Sequence, residues 1–202
     1  MKIFCIGRNY AEHAKELQNV IPTQPLIFMK PATALLLENK PFYYPAFSKN
    51  IHYELEIVLR ISKNGKHIEP KFAARYYDSI ALGIDFTARD LQDNLKAKGQ
   101  PWELAKGFDG SAVLSAFKPL TQFDEKNINF ILIKNGSSVQ TGVSSDMIFS
   151  FETLVSFISE YFTLQKGDII YTGTPAGVGP IVVGDILEGM LENEKLLHCE
   201  IK

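Results

Sequence analysis

At 202 residues, with 46% hydrophobic and 22% charged side chains, the chain is long enough to build one full core without staples. A net charge of −2, with no run of Lys or Arg, excludes a phosphate-tracking surface, so nucleic acid is not an expected partner. The first apolar run, Ile3 to Ile6, is too short for a signal-peptide core, and no later segment reaches membrane-spanning length. The expectation is a cytoplasmic protein without membrane contact, acting on small molecules.

Ile3 to Ile6 reads as a short buried strand ended by Gly7. A helix over Asn9 to Gln18 follows, with Asn9 placed to cap it and Ala11, Ala14 and Leu17 at helical spacing. Pro22 and Pro25 mark a loop before the apolar stretch Leu26 to Met29, and Pro31, Pro41 and Pro45 punctuate the next segment. His52 to Ser62 is the clearest strand, and Asn64-Gly65 after it suits a hairpin turn. Pro70 to Tyr77 reads as a helix, Ser79 to Phe86 as a strand, and Thr87 to Lys98 as a helix stopped by Gly99 and Pro101.

Strands at Ile128 to Lys134 and Ser138 to Gly142 are joined by a second hairpin signal, Asn135-Gly136. Ser150 to Phe162 has helical periodicity through Phe151, Leu154, Val155, Ile158 and Phe162. Strands at Asp168 to Thr172, Asp185 to Met190 and Leu196 to Ile201 complete the chain. Strands outnumber helices without regular alternation, which predicts a β-rich α+β roll. Cys5 and Cys199 read as two buried, reduced thiols; a disulfide tying the termini is the alternative.

Chemistry concentrates in a few places. Alternation along a strand puts Glu54 and Glu56 on one face, opposite Tyr53, Leu55 and Ile57. Two carboxylates so placed repel unless a cation lies between them, and a hard divalent ion such as Mg²⁺, Mn²⁺ or Ca²⁺ favours oxygen donors. Asp85, at the end of an apolar strand, is the candidate third ligand. The competing reading is a solvated face on an edge strand.

His13 and Glu16, three apart on the first helix, can pair so that the carboxylate fixes the imidazole tautomer and raises its basicity. A surface pair would look the same. Lys106, between Ala105 and Gly107 and near Trp102, reads either as a half-buried cation for an anionic substrate or as an ordinary surface lysine. The Gly-rich run Thr172 to Gly179 lacks the Lys-Ser/Thr ending of a phosphate loop. It reads instead as a tight turn whose amides and Thr174 hydroxyl meet a carboxylate.

Taken together, several stretches resemble the fumarylacetoacetate hydrolase family, in its short acylpyruvase and oxaloacetate decarboxylase-like branch. They are Gly7-Arg8-Asn9-Tyr10 with His13 and Glu16, Phe28 to Ala34, His52 to Glu56, Asp85 to Gln92, Pro101-Trp102 through Lys106, Met147 to Ser150, and Thr172 to Pro180. The resemblance runs nearly end to end. It implies a single catalytic domain over residues 1–202, a mixed β-roll with a few peripheral helices, and a homodimer.

It also implies roles. Glu54, Glu56 and Asp85 would hold one divalent cation, Mg²⁺ first, with Mn²⁺ or Ca²⁺ as alternatives. His13 and Glu16 would activate water, and Lys106 would assist an enolate held on the metal. Arg89, Gln92, Lys30 and Thr174 would bind the carboxylate and oxo groups of the substrate. The implied activity is C–C bond cleavage in small 2-oxo or 1,3-dicarbonyl acids, as in acylpyruvate hydrolysis or oxaloacetate decarboxylation. A 2-hydroxymuconate-type isomerase or hydratase is the alternative, and a non-catalytic metal-stabilised binding protein is a third reading.

Overall fold

In the computed structural model, which describes residues 1–16, 20–37 and 39–202, strands dominate. In chain order the first half runs β1 (Ile3–Gly7), α1 (Ala11–Glu16), β2 (Leu26–Lys30), β3 (Leu35–Leu36), β4 (Ile51–Tyr53), β5 (Leu55–Ile61), α2 (Pro70–Ala73) and β6 (Tyr77–Asp85). The middle holds β7 (Thr87–Ala88), α3 (Arg89–Ala97), α4 (Glu103–Lys106), β8 (Ala112–Leu114) and β9 (Lys118–Pro119). The remainder is β10 (Asn129–Lys134), β11 (Ser137–Val143), α5 (Phe151–Tyr161), β12 (Ile169–Tyr171), β13 (Gly179–Pro180), β14 (Ile186–Leu191) and β15 (Glu194–Glu200).

The main sheet has the order β2-β1-β12-β5-β6-β8-β3, with β9 also paired to β6. Laid flat, its two end strands would stand about 29 Å apart, at roughly 4.8 Å per strand. Yet β2 and β3 are joined by residues 31–34 alone, a link that reaches at most about 17 Å. The sheet must therefore curl. Phe28 of β2 and Leu35 of β3 accordingly pack on one small inner cluster with Cys5, Val58, Ala81, Ala112 and Tyr171.

Alternation sends the other face of the same strands outward to the larger core. Leu55, Ile57, Leu59 and Ile61 of β5 and Ile80, Leu82 and Ile84 of β6 all belong to it. A second sheet, β11-β10-β14-β15, covers this face through residues such as Phe130, Leu132, Leu187 and Leu197. A small sheet, β13-β4-β7, caps one end. The result is a strand-rich α+β roll with few helices, as the sequence implied.

Several local expectations change. The single strand over His52 to Ser62 is broken at Glu54, where the chain passes from the small sheet into the rolled one. Asn64-Gly65 makes no hairpin: Gly65 bridges instead to Leu164, and β5 reaches β6 through α2. That helix ends at Ala73 rather than Tyr77, because Tyr77 is already paired to Ile61 in the sheet. Asn135-Gly136 is the hairpin turn expected, both residues having positive φ of 51° and 81°.

Asn9 does not cap the first helix. Its side chain turns inward, donating to Thr172 O (2.7 Å) and accepting from Phe149 N (2.8 Å). The part of that helix expected over Leu17 and Gln18 lies outside the described residues. Thr87 and Ala88, expected in a helix, pair with β4, and α3 begins at Arg89. The helix expected over Ser150 to Phe162 is α5, with Ser150 as its cap and Tyr161 as its last residue. Cys5 and Cys199 are both free and buried. No described helix is long and apolar enough to cross a membrane.

Candidate active site

Three carboxylates meet where β5 begins and β6 ends. The antiparallel register sets Leu55 opposite Ile84, and Asp85 N donates to Glu54 O at 2.8 Å, so the two strand ends are tied together. Side-chain oxygens of Glu54, Glu56 and Asp85 all lie within 4.8 Å of one another, and all three residues are buried. That burial removes the solvated-edge reading of the acidic pair.

Like charges this close need positive partners, and the supply is uneven. Lys106 Nζ donates to Glu54 Oε2 (2.8 Å) and Asp85 Oδ2 (2.7 Å). Arg89 pairs with Glu54 and also donates to Gln92 Oε1 at 2.6 Å. Lys30 Nζ sits 2.7 Å from Asp85 Oδ1. The partner of Glu56 is neutral: the Gly173 N–H, which donates to its Oε2 at 2.7 Å.

The protonation balance follows from this asymmetry. Burial would raise the Glu54 pKa, but Lys106 and Arg89 outweigh it and hold the carboxyl well below its usual range. Burial, then the charge of Asp85, pushes Glu56 well above the usual range, and the Gly173 amide offsets this only in part. For Lys106, burial opposes the charge, yet Asp85 and Glu54 keep its pKa above that of a free lysine.

The three acids fit a hard cation on two counts. The donor set is all carboxylate oxygen. Among the described residues, Asp85 Oδ1 is fully enclosed with no hydrogen-bond donor well aligned to it, and Glu56 has no cationic neighbour in hydrogen-bond contact.

A narrow cleft, with about 30 Å³ of free space, opens above them. Glu54, Glu56, Asp85, Arg89, Gln92, Lys106, Thr174 and His13 all line it, so eight of the expected site residues share one space. His13 is buried on α1 and its Nδ1 lies 3.2 Å from Glu16 Oε2. Glu16 Oε1 in turn accepts from Gly177 N at 3.0 Å. Glu16 thus orients the imidazole, which lines the same cleft as the carboxylates.

Two expected residues are placed differently. Lys30 is sealed beneath Asp85, donating to Ser111 O (2.8 Å) and Ser111 Oγ (3.0 Å), and forms no part of the cleft wall. Thr174 lines the cleft, but its hydroxyl donates to Leu55 O (2.8 Å) and accepts from Gln140 Nε2 (2.9 Å). The Gly-rich turn does meet carboxylates through its amides, and they are the protein's own Glu56 and Glu16.

Gly173 is required there. Its φ is +105°, and a Cβ would lie 2.6 Å from that of Asn9.

Reading the residues alone passed over four contributors. Gln140 ties Thr174 and Pro175 to Leu55 N, and no local pattern marks it. Lys96 stands four residues beyond Gln92 and seven beyond Arg89, a helical spacing that could have disclosed it. Arg8 and Phe28 also line the cleft. Phe28 and Trp102 form an aromatic wall, with centroids 5.9 Å apart.

Comparison with known proteins agrees with this geometry. Residues 2–201 match the family model described as fumarylacetoacetate (FAA) hydrolase C-terminal. The chain belongs to the fumarylacetoacetate hydrolase family. Among its relatives, the mitochondrial oxaloacetate tautomerase FAHD1 of Bos taurus is 43% identical over 187 residues, 92% of this chain and 85% of the relative. The mitochondrial oxaloacetate decarboxylase of Dictyostelium discoideum is 41% identical over 189 residues, 93% and 87% of the two chains.

Among solved structures, a fumarylpyruvate hydrolase from Pseudomonas aeruginosa, in complex with Mn²⁺ and pyruvate, superposes with a TM-score of 0.94. It is 33% identical, and the match covers 100% of this chain and 89% of that one. All three carry enzyme names.

Proposed function

We propose that this chain is a divalent-metal-dependent enzyme that cleaves a C–C bond in small 2-oxo or 1,3-dicarbonyl acids. The observation that carries the reading is the buried triad of Glu54, Glu56 and Asp85 at the floor of a cleft that also holds His13 and Lys106. The names of the relatives point the same way: an oxaloacetate decarboxylase, and a fumarylpyruvate hydrolase with Mn²⁺ and pyruvate. We take residues 1–202 as one catalytic domain, Mg²⁺ as the first choice of ion, and a cytoplasmic homodimer as the working form.

Glu54, Glu56 and Asp85 would hold the cation, which when bound supplies Lewis-acid polarisation of a 2-oxo acid. The rest is the work of side chains. Arg89 and Gln92, joined through a 2.6 Å hydrogen bond, present donors to the substrate carboxylate. Lys106, fixed by two carboxylates, sets its ammonium where negative charge grows on the oxo oxygen as the bond breaks.

In hydrolysis, His13 takes a proton from water, whose oxygen attacks the distal carbonyl carbon. The C–C bond then opens toward the pyruvate half, whose methylene carbon accepts the proton. Glu16 holds the imidazole tautomer and steadies its charge. Decarboxylation of oxaloacetate needs no attacking water: carbon dioxide departs and the same carbon is protonated.

A second reading is favoured by the name of the bovine relative. Keto–enol tautomerisation moves one proton between C3 and the 2-oxo oxygen, and His13 is the base placed for it. Assays of acetylpyruvate, oxaloacetate, fumarylpyruvate and a 2-hydroxymuconate, each with Mg²⁺ or Mn²⁺ and again with chelator, separate the readings. Chelator-sensitive pyruvate release is expected. Tautomer exchange without any pyruvate would replace the cleavage reading, and turnover indifferent to chelator would remove the metal.

A further inference from the structure

Phe130, Leu132, Leu187, Leu191, Leu197 and Cys199 make the inner face of the second sheet apolar, and Gln140 of β11 is buried on the same sheet. A buried amide is costly unless its polar atoms are hydrogen-bonded, and a Met or Leu would fill this space without that cost. Gln140 finds its partners outside its own sheet. Its Oε1 accepts from Leu55 N at 2.9 Å, and its Nε2 donates to Thr174 Oγ1 (2.9 Å) and Pro175 O (3.0 Å). Both amide hydrogens are thereby used.

The backbone is shaped around this contact. Leu132 pairs with Gln140 and Ile133 with Ser138, so Val139 is an extra residue in β11. Such a bulge re-aims the side chains beside it. The bulge also brings the Val139 carbonyl against Gly177, whose φ is +98° and where any Cβ would collide with that oxygen. The Gly-rich turn therefore seats directly on the bulge that carries Gln140.

The far end of the contact is equally specific. β12 pairs with Val58, Leu59 and Arg60 of β5 and then stops. Beyond that point side chains take the place of a strand. Thr172 Oγ1 donates to Ile57 O (2.9 Å), Thr174 Oγ1 donates to Leu55 O (2.8 Å), and Gln140 accepts from Leu55 N. Leu55, gripped at both backbone groups, stands between Glu54 and Glu56. Thr174 and Pro175 stand between the Gly173 amide, which holds Glu56, and the Gly177 amide, which holds Glu16.

We infer that Gln140 is a positioning residue: from the second sheet it fixes the Gly-rich turn against the start of β5, and so sets the spacing of Glu54, Glu56 and the His13 helix. The inference rests on the proposed metal role of the acidic triad. Gln140 itself is no part of the cleft wall and acts through Leu55 and Thr174.

The test compares the unmodified protein with Gln140→Met, by amide hydrogen exchange without metal and by calorimetric titration with Mn²⁺. Exchange should quicken at Leu55, which loses its acceptor, and at Gly173, which Gln140 does not touch. The gain at Gly173 should exceed that at Phe130 and Leu132, in the sheet of Gln140 itself, by about tenfold. Mn²⁺ affinity should fall by about tenfold or more, as for loss of an outer support. A merely structural role would quicken all four amides alike and leave the affinity of the folded protein unmoved.

Equal gains at Gly173 and in the second sheet, or an unmoved Mn²⁺ affinity, overturn the inference. Gln140→Glu, which keeps the acceptor for Leu55 N and loses both donors, decides the matter if Gln140→Met does not fold. There Gly173 should quicken while Leu55 stays protected. If neither variant folds, Gln140 belongs to the fold alone and the inference is overturned. In a protein that takes up no Mn²⁺ the metal reading falls, and Gly173 alone decides whether Gln140 sets the turn. Mn²⁺ uptake with the variant indistinguishable from its parent does the reverse.

Discussion

Asp85 is the residue on which most of the buried charge converges. One oxygen accepts from Lys106, and the other lies against Lys30, whose side chain is fully enclosed. Asp85→Asn would leave Lys30 with only neutral acceptors and Lys106 with Glu54 alone. Breaking one side of a buried ion pair typically costs about 3 kcal/mol or more. Urea unfolding of the metal-free variant should show a loss of that order, and an unchanged midpoint would mean the lysines relax into solvent.

His13 is a sharper probe because it separates reactions. With its proton-accepting role removed, His13→Ala should lose acylpyruvate hydrolysis by about 10²–10⁴-fold, the usual worth of a positioned base. Oxaloacetate decarboxylation, which needs no activated water, should fall far less. Equal losses in steady-state kcat/KM would contradict this division.

His52 gives a prediction in pH. Its Nε2 lies 3.0 Å from Asn50 Oδ1 while Nδ1 is buried without a partner among the described residues. Burial first, then the Arg89 cation, lowers its pKa from 6.5 to about 4. An unfolded histidine gains its proton below about 6.5, whereas the folded one resists until about 4. The stability it contributes is present above 6.5 and is lost as the pH falls through 4. Allowing for its partial exposure, about 1–2 kcal/mol is at stake. In His52→Asn, chemical denaturation across this window should show a shallower acid slope.

At the scale of elements, the Gly-rich turn after β12 acts as a clamp. One amide holds Glu56 and another holds Glu16, so the turn links the carboxylate floor to the His13 helix. Gly173→Ala forces the new methyl against Asn9 and must shift the amide that meets Glu56. Loss of such an outer support typically weakens metal binding by about 10–100-fold. Titration of the variant with Mn²⁺, read by calorimetry, should show that drop. Unaltered affinity would mean that Glu56 is positioned without the turn.

What the sequence made legible follows the range over which each signal acts. Helix α5 was readable because the residues of its apolar face lie within one segment. The Asn135-Gly136 hairpin was readable because its turn geometry is local. Asn64-Gly65 carries the same dipeptide, but pairing with Leu164 overrides it. Glu54, Glu56 and Asp85 were found from strand alternation and a strand end. The burial of Lys30 and the bridging role of Gln140 were not, since both depend on partners at least 34 residues away.

Across the whole molecule, the curled sheet is what brings the site together. β5 supplies Glu56, the junction before it Glu54, and β6 Asp85, while the turn after β12 and the helix after β1 close over them. A cation held by all three acids would therefore bridge strands at the centre of the main sheet, and it would bind the folded chain far better than the unfolded one. Ligand linkage then adds about 2.7 kcal/mol when free ion exceeds its dissociation constant a hundredfold. For a chain of this size, that corresponds to a rise in melting temperature of roughly 5–11 °C. Calorimetric scans with Mn²⁺ should show the rise, chelator should reverse it, and Glu54→Gln, Glu56→Gln should lack it. Equal rises in the parent and the double variant would mean that the ion stabilises the fold from some other place.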